Sequence, residues 1–254
     1  MNQDYQLPKS HPRYLSLSTR ELIVAGVEAG VTSPHGLIAQ GRGEAFDYLI
    51  GEETNDFAMD AIDAALCLLK KAERPVFSIN GNVAALVPEQ IIKLAKLFNA
   101  KLEVNIFHAS QVRVAKIKAK LESNGAREVL LPDPDCALKG LEHNRRFINP
   151  AGIQLADVVF VPLEDGDRCQ ALVAQGKKVI TVDLNPLSRT AKTANVTIVD
   201  NLVRCITVMI ERFSFINKLN ELDLNNSLDQ YNNLLVLNRA LKKIRSNLDS
   251  AAAS

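Results

Sequence analysis

The sequence predicts an α/β fold: a doubly wound, mostly parallel sheet with helices on both faces, Rossmann-like, followed by a C-terminal helical appendage. Three observations carry this. Short apolar runs of strand length alternate with helical stretches through residues 75–199, the pattern of β-α-β units. The residues just past those runs are polar, as expected where a parallel sheet presents its strand ends to a ligand. The chain has 254 residues, 47% of them hydrophobic, enough to bury one large core.

A first helix is expected over residues 18–30. Ser18-Thr19-Arg20-Glu21 has the form of a capping box, Leu22, Ile23, Ala25 and Val27 follow, and Gly30 suits a left-handed stop. A second, over 36–50, turns Leu37, Phe46 and Leu49 to one side. It carries Gly41 and Gly43 inside it, each costing ~1 kcal/mol relative to alanine, so the weakness needs a reason. A third covers 57–73 and is rich in alanine and leucine. Strands are expected at 76–79, 102–106, 129–131, 158–161, 179–182 and 196–199. Between them lie helices at 88–98, with proline in the first turn, at 110–124, closed by Gly125, and at 168–175, closed by Gly176.

Beyond Asn217 the composition changes, with Asn220, Asn225, Asn226, Asn232, Asn233 and Asn238 set among leucines. The division expected is an α/β domain at 1–217 and a helical extension at 218–254. Leu228, Tyr231, Leu234, Leu235, Asn238, Leu241 and Ile244 trace one face, apolar except for Asn238, that could dock on its own domain or on a second subunit. Residues 251–254 are expected to fray.

Thirty basic and twenty-nine acidic residues leave a net charge of +1, so no global field favours a nucleic acid. Cys67, Cys136, Cys169 and Cys205 share no CxxC or CxxH spacing, which argues against a disulfide framework and a zinc knuckle and for a reducing, cytoplasmic setting. The first thirty residues read neither as a signal peptide nor as an anchor, and no apolar run reaches the ~18 residues of a membrane span. A soluble protein without membrane partners is expected. His108 and His143 have no ligand partner at metal spacing, so no protein-held metal is expected.

The polar segments carry the chemistry, and each admits a bland alternative. Asn80-Gly81-Asn82, His108, residues 164–168 and residues 183–190 follow four different strands and converge on one rim. Gly41-Arg42-Gly43-Glu44 sets an arginine between two bare backbones, suited to a phosphate or to a tight helix crossing. It matches neither the P-loop nor the GxGxxG pattern. In 183–190, Asp183, Asn185, Ser188, Arg189 and Thr190 could take a ribose and phosphates, or Asp183 and Asn185 could simply build an Asx turn. Glu164-Asp165-Gly166-Asp167-Arg168 could hold Mg²⁺ through water or orient an amine, or could meet a helix dipole. Lys9-Ser10-His11-Pro12-Arg13 could grip a substrate phosphate or be a solvated basic terminus.

Eight segments in order resemble the archaeal-type phosphopantothenate synthetase (4-phosphopantoate–β-alanine ligase) family. They are KSHPRY at 9–14, TRE at 19–21, GLIAQGRGEAFDYL at 36–49, NGNVAALVP at 80–88, KLEVN at 101–105, GLEH at 140–143, ADVVFVPLEDGDR at 156–168 and DLNPLSRTA at 183–191. The resemblance covers roughly residues 8–215; Gln40 departs from a histidine associated with the family. It implies a homodimeric enzyme of coenzyme A biosynthesis that joins 4-phosphopantoate to β-alanine and splits ATP, with Mg²⁺, into AMP and diphosphate through an acyl-adenylate. By motif match it implies ATP contacts at Arg20, Arg42, Asp183, Leu184, Asn185, Arg189, Thr190, Asn201 and Leu202. Position at the strand ends, rather than the resemblance, suggests Asn80 and Asn82 for substrate binding and Glu164, Asp165 and Arg168 for catalysis. Glu164 or Asp165 would steer the amine and accept its proton. The rival readings are a related ATP-dependent carboxylate–amine ligase and a non-catalytic nucleotide-binding regulator.

Overall fold

The computed structural model describes residues 8–107 and 110–253; His108 lies outside them. Helices α1 (Tyr14–Glu28), α2 (Pro34–Ile50) and α3 (Asp56–Lys71) precede β1 (Pro75–Ile79). Next come α4 (Gly81–Leu86), α5 (Pro88–Leu97), β2 (Lys101–Val104), α6 (Gln111–Ser123) and β3 (Val129–Leu130). An excursion through β4 (Asp133–Ala137), a 3₁₀ turn at Asn144–Arg146 and β5 (Phe147–Ile148) leads to β6 (Val158–Phe160). The chain continues through α7 (Gly166–Ala174), β7 (Lys178–Val182), α8 (Arg189–Thr193), β8 (Val196–Ile198), α9 (Leu202–Ile216), α10 (Glu221–Gln230) and α11 (Asn233–Ala252).

All six expected strands form one parallel sheet in the order β3-β2-β1-β6-β7-β8. Its strands are buried on both faces, as a covered parallel sheet requires. Phe77, Ile79, Val158, Phe160, Ile180 and Val182 point into the larger core with α3, α5 and α9. Their neighbours Val76, Val159, Val161 and Val179 point into a second core with Leu172 of α7. The Phe77 and Phe160 rings meet edge to face at 5.0 Å across the β1–β6 pair.

Two local readings change. The capping box at Ser18 is not used: α1 starts at Tyr14, and Ser18 donates its hydroxyl to Leu15 O inside the helix. Gly30 does take the left-handed conformation expected of it, at φ +70°. The continuous apolar face over 228–244 does not form. The backbone is extended at Tyr231, and Asn232 caps a new helix by accepting from Leu235 N at 3.0 Å, which resets the helical phase. Leu234 and Leu235 are exposed, while Val236, Leu237 and Ala240 are buried in the main core of their own chain. This segment also covers the edge strand: Thr197 N donates to Tyr231 Oη and to Asn233 Oδ1.

Candidate active site

The chain leaves β1 toward β2 and leaves β6 toward β7, yet β1 and β6 are hydrogen-bonded neighbours. Ligands of doubly wound sheets bind at the carboxyl ends beside this switch point. A cleft of about 550 Å³ opens there, lined by Arg42, Asn80, Asn82, Glu164, Asp165, Asp183, Leu184, Asn185, Arg189, Thr190, Asn201 and Leu202. Arg20 and Arg168 are not among its lining residues.

On the β7–β8 side, the Asx geometry and a cleft-lining role coexist. Asp183 Oδ1 accepts from Asn185 N at 2.9 Å, its Oδ2 accepts from Ser188 Oγ, and Asn185 Oδ1 accepts from Leu187 N at 2.9 Å. Burial pushes the Asp183 carboxyl up, against the pull of Ser188, the Asn185 N–H and Arg42 facing it. Thr190 Oγ1 donates to Glu164 O at 2.9 Å, joining this loop to the acidic turn. Arg189 pairs with Asp167 at the exposed rim. Gly166 permits that approach, since a Cβ there would lie 2.6 Å from Arg189 Cβ.

Gly41 and Gly43 face no crossing helix. A Cβ on Gly41 would meet nothing within 4 Å, and one on Gly43 would meet only Leu184 Cδ1, at 3.6 Å, in the cleft. The weakness in α2 thus keeps side chains out of the space between α2 and Leu184. Arg20 anchors α2 from outside: Nε and Nη2 grip the Glu44 carboxylate at 2.9 and 2.8 Å. Burial raises the Glu44 pKa, but Arg20 and Tyr48 outweigh it and hold the group below the usual carboxylate range. Arg13 belongs to the same outer cluster, donating to Tyr48 Oη at 2.9 Å, so the basic N-terminal segment does not reach the cleft.

Asn80 and Asn82 line the cleft with their polar atoms already engaged. Asn80 Oδ1 caps α4 at Val83 N, and its Nδ2 donates to Pro162 O and Leu163 O at 3.0 and 3.1 Å. Asn82 accepts from Thr32 Oγ1 and donates to Gly36 O. Both act as pins that hold the rim. Leu163 needs one: at φ +56° it is in a region costing a non-glycine residue about 1 kcal/mol or more, and Asn80 with Val182 O fixes it there.

The acidic turn is a charge cluster. Glu164, with its side chain 2% exposed, lies between Arg145 and Arg168. Arg168 is fully buried beneath the cleft, where its Nη1 also donates to Ser78 Oγ at 3.0 Å, so it holds Glu164 rather than meeting a ligand. Asp165 caps α7 by accepting from Arg168 N at 2.9 Å and pairs with Arg145. Burial raises the Asp165 pKa, yet Arg145 and the Arg168 N–H outweigh it and keep the group below its ordinary value.

Arg145, a lining residue, was not singled out from the sequence. It is carried in by the β4–β5 excursion, where Asn105 at the end of β2 accepts from its Nε at 3.1 Å and donates to its carbonyl at 3.2 Å. The excursion also corrects the reading of His143 as isolated: ligand atoms of His143, Asp165 and Asp167 lie within 4.8 Å of one another. Sequence spacing could not reveal partners more than twenty residues away. The trio does not fit a resident Mg²⁺, which takes oxygen ligands, because it includes an imidazole and its carboxylates are paired with Arg145 and Arg189.

A doubly wound sheet with arginines and fixed polar loops around a switch-point cleft defines an α/β protein built to bind anionic small molecules. The family model for phosphopantothenate/pantothenate synthetase matches residues 57–247, and the chain belongs to that family. It is 50% identical over 247 residues to the 4-phosphopantoate–β-alanine ligase of Methanosarcina mazei, covering 97% of each chain. It is also 50% identical to the ligases of the same name from Thermococcus onnurineus and Thermococcus kodakarensis, over 97% of this chain and 95% of each relative. Such a ligase implies a nucleotide substrate. No helix among the described residues is long and apolar enough to cross a membrane.

Proposed function

We propose that this chain joins 4-phosphopantoate to β-alanine at the expense of ATP, forming 4′-phosphopantothenate, AMP and diphosphate in coenzyme A biosynthesis. The observation that carries this reading is 50% identity to a ligase of that name over 97% of the chain, a span that includes every cleft wall.

In this reading the nucleotide lies along Asp183, Leu184, Asn185, Thr190, Asn201 and Leu202, with Arg42 and Arg189 on its phosphates. Arg20 acts through α2, by way of Glu44. Mg²⁺ arrives with ATP as part of the substrate. A carboxylate oxygen of the acid attacks the α-phosphorus and diphosphate leaves with the electrons of the broken P–O bond. The amine nitrogen then attacks the acyl carbon, and the C–O bond to AMP breaks. Two anions approach in the first step, so converging guanidinium groups lower its barrier.

The roles of the acidic turn follow from its pairing. Glu164 holds Arg145 in place. Asp165 stays ionised and attracts the β-alanine ammonium, but a carboxylate held that low is a poor proton acceptor, so the amine proton goes to water. Asn80 and Asn82 shape the acid-binding end as pins. A homodimer and a cytoplasmic setting complete the reading; sizing of the purified chain tests the first.

The test is mass spectrometry of products after incubation with ATP, Mg²⁺, β-alanine and 4-phosphopantoate. Equal amounts of 4′-phosphopantothenate and AMP are expected; ADP in place of AMP would overturn the adenylate. The family description also names pantothenate synthetase, so pantoate is run in parallel as the competing acid.

A further inference from the structure

The cleft has two chemically distinct ends. The loops after β7 and β8 form one. The other lies over the end of β2, walled by Ile106, by Leu86 of α4 and by Arg113 from the first turn of α6. Adjacent strands are ~4.8 Å apart, so three intervals, from β2 through β1 and β6 to β7, place these ends roughly 14 Å from each other. The reacting carboxylate belongs between them, beside the acidic turn at the end of β6. In 4-phosphopantoate five bonds separate carboxyl carbon from phosphorus, a span of roughly 6 Å at ~1.5 Å per bond with normal angles. With its carboxylate at the switch point, the molecule therefore sets its phosphoryl group over β2.

The other cleft arginines are placed for other work. Arg145 is bound to Glu164, Asp165 and Asn105, and Arg42 and Arg189 stand with the β7 loop. Arg113 is half-buried in the β2 end, and its helix start is fixed by Ser110, whose Oγ accepts from Arg113 N at 3.2 Å. The positive end of the α6 dipole adds charge of the same sign. Leu86 and Ile106 beside it offer apolar contact to the two methyl groups on the acid's quaternary carbon. Resting on the ligase reading, we propose that Arg113 recognises the phosphoryl group of the acid and so selects the phosphorylated substrate over the free alcohol.

The test compares kcat/KM for 4-phosphopantoate and for pantoate in the unaltered enzyme and in Arg113→Ala, Arg113→Gln and Arg113→Lys. The unaltered enzyme should prefer the phosphorylated acid. Arg113→Ala and Arg113→Gln should lose about 100-fold on it, the scale of one charge-assisted bidentate contact. Turnover of pantoate and KM for ATP should stay within about threefold, and Arg113→Lys should recover part of the loss. An unchanged ratio between the two acids in an active variant overturns the assignment of Arg113 alone. Equal loss on both acids also overturns it, by making Arg113 a structural residue. Failure of the unaltered enzyme on both acids overturns the ligase reading and this inference with it.

Discussion

Arg204 grips Asp47 with both terminal nitrogens: Nη1 donates to Oδ2 at 3.0 Å and Nη2 to Oδ1 at 2.5 Å. The same guanidinium binds Asp200, and Asn201 Nδ2 donates to Asp47 Oδ2 at 3.0 Å. Asp47 lies one helical turn beyond Gly43 in α2, and Asn201 caps α9. The pair thus joins two walls of the cleft. Arg204→Ala leaves two buried carboxylates without their cation and should cost about 3–5 kcal/mol in denaturant melts. Arg204→Lys keeps the charge but not the fork, so it should retain much of that stability while KM for ATP rises about tenfold. A lysine variant with unchanged KM for ATP would show that the pair supports the fold alone.

Arg189 and Asp167 make the opposite case, since their side chains are 58% and 57% exposed. An exposed pair contributes at most about 1 kcal/mol, so Arg189→Ala should leave the melting temperature nearly unchanged. Its loss to an anionic ligand should raise KM for ATP about 10- to 100-fold, because charge-assisted hydrogen bonds are worth roughly 1.5–3 kcal/mol. Asp167→Asn releases the same arginine and should not weaken ATP binding. Equal losses in both variants would contradict a nucleotide role for Arg189.

Glu103 predicts a pH dependence of stability. Fully buried in β2, it accepts from Asn149 N at 2.9 Å and from Ile153 N at 2.7 Å, with Lys177 and Arg168 as the charges facing it. Burial pushes its pKa up from 4.5 to about 7, against the pull of those groups. Between these values the unfolded chain releases a proton that the folded chain retains. Stability is therefore greatest below the unfolded pKa and falls as pH rises toward 7, by roughly 3 kcal/mol in total, then levels off. Urea melts across that range should show this slope in the unaltered protein and not in Glu103→Gln; parallel curves would refute the assignment.

The sheet was legible because its strands are apolar on both faces and end at turn residues; Val158, Val159 and Phe160 read as a strand in any context. The rim was legible because polar residues directly after such runs have few other places to go. What escaped was whatever depended on contacts distant along the chain. Arg145 looks ordinary in its segment and becomes a site residue only through Asn105, forty positions earlier. Arg168 reads as a catalytic candidate in an acidic turn, yet the first turn of α7 points it under the sheet to Ser78. Asn80 and Asn82 show the same limit: their types suggest ligand contacts, while α4 and the α1–α2 turn engage them as pins. Local pattern identifies which residues can do chemistry, and packing decides which remain free to do it.

Removing the chain after residue 217 should therefore damage the fold rather than only its assembly. Leu224, Val236, Leu237 and Ala240 are buried in the core that holds β8 and α3, so truncation bares apolar surface on both. It also strips the edge of β8: Thr197 N loses Tyr231 and Asn233, and Ala191 O loses the Asn233 Nδ2 donor at 2.8 Å. An open edge strand beside exposed apolar surface is a template for aggregation. The shortened chain should precipitate or elute as large aggregates, and Asn233→Ala in the full chain should lower stability by about 1–3 kcal/mol through the unpaired Thr197 N–H. A soluble, cooperatively folding 1–217 fragment with native circular dichroism would refute this, and would make the last two helices an independent appendage on a self-sufficient α/β domain.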